Sequence, residues 1–149
     1  MYKRDELKTL KKEFWIEFAN YCDSLSKQGK HKSFILYNTK IKGVELKFDA
    51  TREGAFVILE INLSNTETRL EKFQQLQACR SFFNSEFPEN LIWEADFTRS
   101  CGTRVSRIYI QQADIDIHRR DQWPLFHQFL ATNMVKMERV FFEIRDIIA

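Results

Sequence analysis

One run of nine residues constrains the fold more than any other. Ala55-Phe-Val-Ile-Leu-Glu-Ile-Asn-Leu63 is apolar on both strand faces at its start. A strand that offers apolar side chains to both sides suits the middle of a sheet, where both faces are covered. Ahead of it, Val44, Leu46 and Phe48 alternate with Glu45, Lys47 and Asp49, the period of a half-buried strand. Thr51-Arg-Glu-Gly54 joins the two as a hairpin connection, with glycine for the positive φ. A further strand is expected over residues 34–40.

Helical periods flank this region. Leu7, Leu10, Phe14, Phe18, Tyr21 and Leu25 fall three or four apart and predict a helix over residues 5–27, stopped at Gly29. Ser64-Asn-Thr-Glu67 has the form of a capping box. The helix behind it carries Leu70, Phe73, Leu76, Cys79, Phe82 and Phe83 and is ended by Pro88. Leu91, Trp93, Ala95 and Phe97 then alternate with Ile92, Glu94 and Asp96. A turn at Ser100-Cys-Gly102 leads to a strand over residues 104–111, extended in one reading through residues 114–117. Asp121 is placed as the cap of a last helix, with Pro124 in its first turn. The expected fold is α+β: a mostly antiparallel sheet of about five strands packed with three helices, in the order α-β-β-β-α-β-β-α. Residues 1–149 form a single domain, without linker or repeat.

Several function classes fall away on composition. Four glycines leave little room for Rossmann or P-loop phosphate cradles. No apolar run approaches the roughly 20 residues of a membrane helix. Met1-Tyr2-Lys3-Arg4-Asp5-Glu6 is a charged amphipathic opening, unlike a signal peptide. The odd, widely spaced set Cys22, Cys79 and Cys101 suits reduced thiols in a cytoplasm. Serine-hydrolase elbows, zinc-protease helices and Cys-x-x-Cys pairs do not occur, and no cofactor is called for.

Three groups of residues offer chemistry. On a strand, Asp114, Asp116 and His118 would share one face, a set suited to a hard metal; the same alternation also describes a solvated edge followed by Arg119-Arg120. Helix, three strands, helix, strand is also the core order of restriction-endonuclease-like nucleases, in which Asp49 and Glu60 would be the catalytic carboxylates. Glu60-Ile-Asn62 lacks the lysine of that pattern, and Glu45-Leu-Lys47 lies on the earlier strand. An ordinary polar sheet face accounts for the same residues.

The third group is basic. Lys27, Lys30, Lys32, Lys40 and Lys42, with His31, form a stretch without acids, and Arg99, Arg104 and Arg107 form another. Such segments bind phosphate with salt-sensitive affinity, or serve to keep sheet edges apart. The last helix is apolar on more than one stripe, which fits a core helix and also a homodimer through that helix.

Phe14-Trp15, Phe56-Val-Ile-Leu-Glu-Ile-Asn62, Lys72-Phe73, Leu91-Ile-Trp-Glu94, Ser106-Arg-Ile108 and Trp123, in that order and spacing, resemble an uncharacterised bacterial domain-of-unknown-function family. Members are often found C-terminal to a restriction-endonuclease-like nuclease module. The resemblance implies a binding or regulatory domain in DNA modification or defence, and its matched positions include Glu60, Trp93, Glu94, Arg107 and Trp123. Glu60 and Arg107 are also placed to pair across adjacent strands. The leading expectation is therefore a cytoplasmic interaction module rather than an enzyme, with a protein or nucleic-acid partner. A divergent metal-dependent nuclease and a ligand-free homodimer are the alternatives.

Overall fold

The computed structural model describes residues 3–29, 34–88 and 91–149. The first helix, α1, spans Arg4–Lys27, and the Glu6 carboxylate accepts the backbone N–H of Lys3 at its start. A hairpin follows, β1 (Val44–Thr51) and β2 (Gly54–Ile61). Then come α2 (Thr66–Ala78) and α3 (Arg80–Glu86), a second hairpin of β3 (Ile92–Thr98) and β4 (Arg104–Gln112), and α4 (Trp123–Ile148). The strands form one antiparallel sheet in the order β1-β2-β4-β3, so the two hairpins meet through β2 and β4.

All eight residues of β2 are buried, as its double-sided apolarity requires of an interior strand. Val57, Leu59 and Ile61 point to the inner face with Val44, Leu46 and Ile108, beneath the helices. Across that face runs α4, with Phe126, Leu130, Met134, Met137, Phe141, Ile144 and Ile148 fully buried. Each such side chain contributes about 1.5–3 kcal/mol of transfer free energy. Packing against β2, α1, α2 and α3 at once uses more than one side of α4 within the chain. Leu125, Phe142 and Ile147 stay exposed, and Arg145 lies over the Phe142 ring.

Several local expectations are corrected. Among the described residues the sheet has four strands and the chain four α-helices, not five and three. No strand forms over residues 34–40: Leu36 and Lys40 take positive φ, the Thr39 hydroxyl donates to the Val44 carbonyl, and Glu138 captures the Ile35 N–H. The helix after β2 breaks at Cys79 into α2 and α3, and its cap is Asn65, which accepts from the Thr68 N–H, rather than Ser64. Asp121 sits in a 3₁₀ turn and does not cap α4, whose first turn does hold Pro124.

The largest difference lies in β3. Glu94 pairs with Arg107 but Phe97 with Val105, so the strand carries one extra residue between these pairs. This bulge turns Phe97 to the outer face, opposite Trp93. Arg69, 1% exposed on α2, holds it in place. Its guanidinium donates to the Ala95 carbonyl at 2.6 Å, to Ser106 Oγ at 2.7 Å and to the Asp96 carboxylate at 2.7 Å.

Candidate binding sites on the sheet and the first helix

The outer face of the sheet carries no helix among the described residues and collects most of the carboxylates and arginines singled out above. Glu60 is its centre. The Glu60 carboxylate accepts Arg99 Nε at 3.0 Å and Arg99 Nη2 at 2.5 Å, and Lys47 Nζ stands 2.5 Å from the same carboxylate. Burial pushes the Glu60 pKa up; hydrogen bonds and charge from Arg99 and Lys47 outweigh it, leaving the group below the ordinary carboxylate value. Arg107 is the ladder partner of Glu60, yet it donates to Glu94 at 2.8 Å and stacks on Phe97 and Tyr109. Arg104 lies 3.4 Å from Asp96.

These contacts separate the expected nuclease carboxylates. Glu60 stands opposite Glu45 in the ladder and Asp49 opposite Phe56, four residues further along β1. At about 3.4 Å per residue, Asp49 and Glu60 are roughly 13 Å apart along the strand, too far to share one metal ion. Among the described residues two strands precede α2, where the nuclease order has three. Both oxygens of Glu60 are occupied by cations, and Asp49 accepts the Ala50 N–H. The outer face is thus a balanced lattice of ion pairs, and its arginines are engaged by carboxylates within the fold.

Asp114, Asp116 and His118 do not share a strand face, because β4 ends at Gln112. Ile115 and Ile117 do go inward. Asp116 Oδ1 accepts the His118 backbone N–H and meets ring Nδ1, each at 2.8 Å, while Asp114 stays exposed. Burial raises the Asp116 pKa, but its bonds to His118, with the His118 and Arg52 charges, bring it below the usual range. No group of three such residues able to hold a metal ion occurs among the described residues. Cys22, expected on an apolar helix face, is half-buried, and burial with the nearby Asp23 charge pushes its thiol up to about 11.

Of the lysines in the first basic segment, Lys27, Lys40 and Lys42 are exposed, while Lys30 and Lys32 lie outside the described residues, as does His31. A different basic site is assembled by the fold. Arg4, Lys8 and Lys11 recur at steps of four and three along α1, so they share one flank of the helix. Together with Arg52 in the hairpin turn and the Asp116–His118 pair, they line an open groove of about 1090 Å³. No ion pair to a described residue engages Arg4, Lys8, Lys11 or Arg52. Glu53 and Asp116 are the acids of the lining, against four full cations. Sequence reasoning missed the groove because acids interrupt the basic residues of α1 in the chain; helical spacing is the signal that sorts them.

A family model for a domain of unknown function, DUF4268, matches residues 10–145. The chain belongs to the DUF4268 family. Neither a curated protein nor a solved structure matches it. The DUF4268 match takes in the whole sheet, including Glu60, Glu94 and Arg107, and the groove residues Lys11, Arg52, Asp116 and His118. Arg4 and Lys8 precede it.

Proposed function

We propose that this DUF4268 domain is a non-catalytic interaction module that takes the phosphate backbone of a nucleic acid in the groove beside α1. One observation carries the reading: Arg4, Lys8, Lys11 and Arg52 converge on a concave surface without an ion pair to any described residue. Seven residues of α-helix extend about 10 Å, so the row spans about three phosphates of one strand. The balanced outer sheet face offers no comparable field. Exposed Lys27, Lys40 and Lys42 extend the basic surface. The DNA-linked setting implied by the sequence resemblance, and free cysteines suited to the cytoplasm, accord with this role.

The test is a titration of labelled DNA and RNA oligonucleotides at several salt concentrations, with and without magnesium. Four neutralised phosphates give a slope of about −3 in log K against log salt. The double variant Lys8→Glu, Lys11→Glu is expected to weaken binding more than about tenfold and to flatten that slope. Salt-independent binding, or binding unchanged in the double variant, overturns the proposal. Shortened products that require magnesium overturn its non-catalytic part.

A further inference from the structure

The row that lines the groove does not end at Lys11. Continuing in steps of four or three, it passes through Trp15, Ala19 and Cys22, still on the same flank of α1. These three residues line a second cleft of about 670 Å³, between α1, β1 and α4. The partner strand repeats the order: Phe48 of β1 lines the cleft, whereas Thr51 and Arg52 line the basic groove. Cleft and groove therefore follow one another along the same flank of α1, and Trp15 lies one turn, about 6 Å, beyond Lys11.

The cleft is built from aromatic side chains that the fold leaves half-buried. Trp15, Tyr21, Phe34 and Phe48 all retain exposed surface there, although apolar side chains of this size elsewhere in the chain are mostly sunk in the core. Their rings are already ordered against one another: Phe34 lies edge-on to Phe48, and Trp15 is tilted toward it at 6.4 Å. Asp23, Gln128 and Thr132 bring hydrogen-bonding groups to the same lining, and Lys136 and Arg139 bring positive charge. An apolar slot with a few polar edges is what a flat heterocycle needs for stacking and edge recognition.

We infer that the cleft receives an unstacked nucleobase of the strand whose phosphates lie along Arg4, Lys8 and Lys11, which makes the ligand single-stranded. This inference rests on the groove reading and adds the class of nucleic acid. A duplex keeps its bases stacked and paired, so it presents phosphates to the groove but no base to the cleft.

Three fluorescent probes of equal length separate the two claims: an oligothymidylate, an abasic phosphodiester and a blunt duplex, each followed by anisotropy. The oligothymidylate is expected to bind about tenfold tighter than the abasic strand, the ratio one stacked base supplies. Thr132→Trp fills the cleft from an exposed position on α4 and should erase that ratio while abasic binding stays as it was. Trp15→Leu should do the same, with circular dichroism and melting confirming that both variants fold. Equal binding of oligothymidylate and abasic strand, or a duplex bound as tightly as the single strand, overturns the base-pocket inference and leaves the groove standing. Failure of all three probes to bind overturns both.

Discussion

Arg107 lies flat on Phe97, its guanidinium carbon 3.4 Å from the ring centroid, and Tyr109 flanks the same carbon at 4.3 Å. The bulge in β3 makes this contact possible, and Arg69 beneath the sheet keeps the bulge. Arg69→Leu removes one of the two donors to the Ala95 carbonyl, leaving the Ser106 hydroxyl, and leaves Asp96 with the exposed Arg104 alone. The expected loss is about 2–4 kcal/mol, read by chemical denaturation. Loss of the Arg107–Phe97 contact, visible as a change in Phe97 ring shifts by NMR, should accompany it. A variant as stable as the parent would show that the bulge holds by itself.

Glu60 supports stability only while ionised. Its folded pKa lies below its unfolded value, so the contribution is complete above the ordinary carboxylate value of about 4.3 and disappears as pH falls through the folded value. Glu60→Gln removes the charge at every pH and leaves Arg99 and Lys47 competing for an amide. The cost at pH 7 is set at about 1–2 kcal/mol, since solvent screens the partly exposed cations. Acid unfolding curves of parent and variant should converge below the folded pKa of Glu60.

A second titration also lowers stability on acidification, but from a higher pH. His127 on α4 is buried among Phe14, Phe18 and Tyr21 of α1, and its Nε2 has no partner among the described residues. Burial lowers its pKa, against the opposing pull of the Glu17 charge and a hydrogen bond to the Phe14 backbone. The unfolded chain therefore binds this proton more readily, and stability declines as pH drops below about 6.5. His127→Phe should flatten that decline between neutral and mildly acidic pH. Parallel melting curves for parent and variant across this range would refute the assignment.

Gly54 closes the first hairpin at φ +125°, and a methyl group built there would lie 1.9 Å from the Gln112 carbonyl oxygen. Backbone cannot yield as a side-chain tip does. Gly54→Ala is thus expected to cost upward of about 2 kcal/mol, whereas Gly102→Ala, with open space around it, should cost less. Thermal melts of the two variants side by side test the contrast.

What could be read from the sequence followed from how local each cause is. The double-sided apolarity of β2, the stripe of α1 and the Thr51–Gly54 turn are set by neighbours in the chain, and all three took the expected form. Residues 34–40 open on the apolar run Phe34-Ile-Leu-Tyr37 that suggests a strand, yet a distant carboxylate, Glu138, takes the Ile35 N–H. Phe97 has the parity of an inward residue until Arg69, remote in sequence, stabilises an extra residue ahead of it. The groove was hidden for the same reason: Arg4, Lys8 and Lys11 meet Arg52 and His118 only when the helix, the hairpin turn and the segment after β4 are assembled. Adjacent-residue patterns carry no trace of such meetings.

That assembly has a thermodynamic corollary. Segments far apart in the chain compose the groove, so the unfolded polypeptide lacks it, and whatever occupies it binds the native state alone. Occupancy must then raise the melting temperature by mass action, in proportion to the logarithm of ligand excess. Thermal shift thereby becomes a search tool that presupposes no activity: the true occupant is the one whose concentration sets where this domain melts.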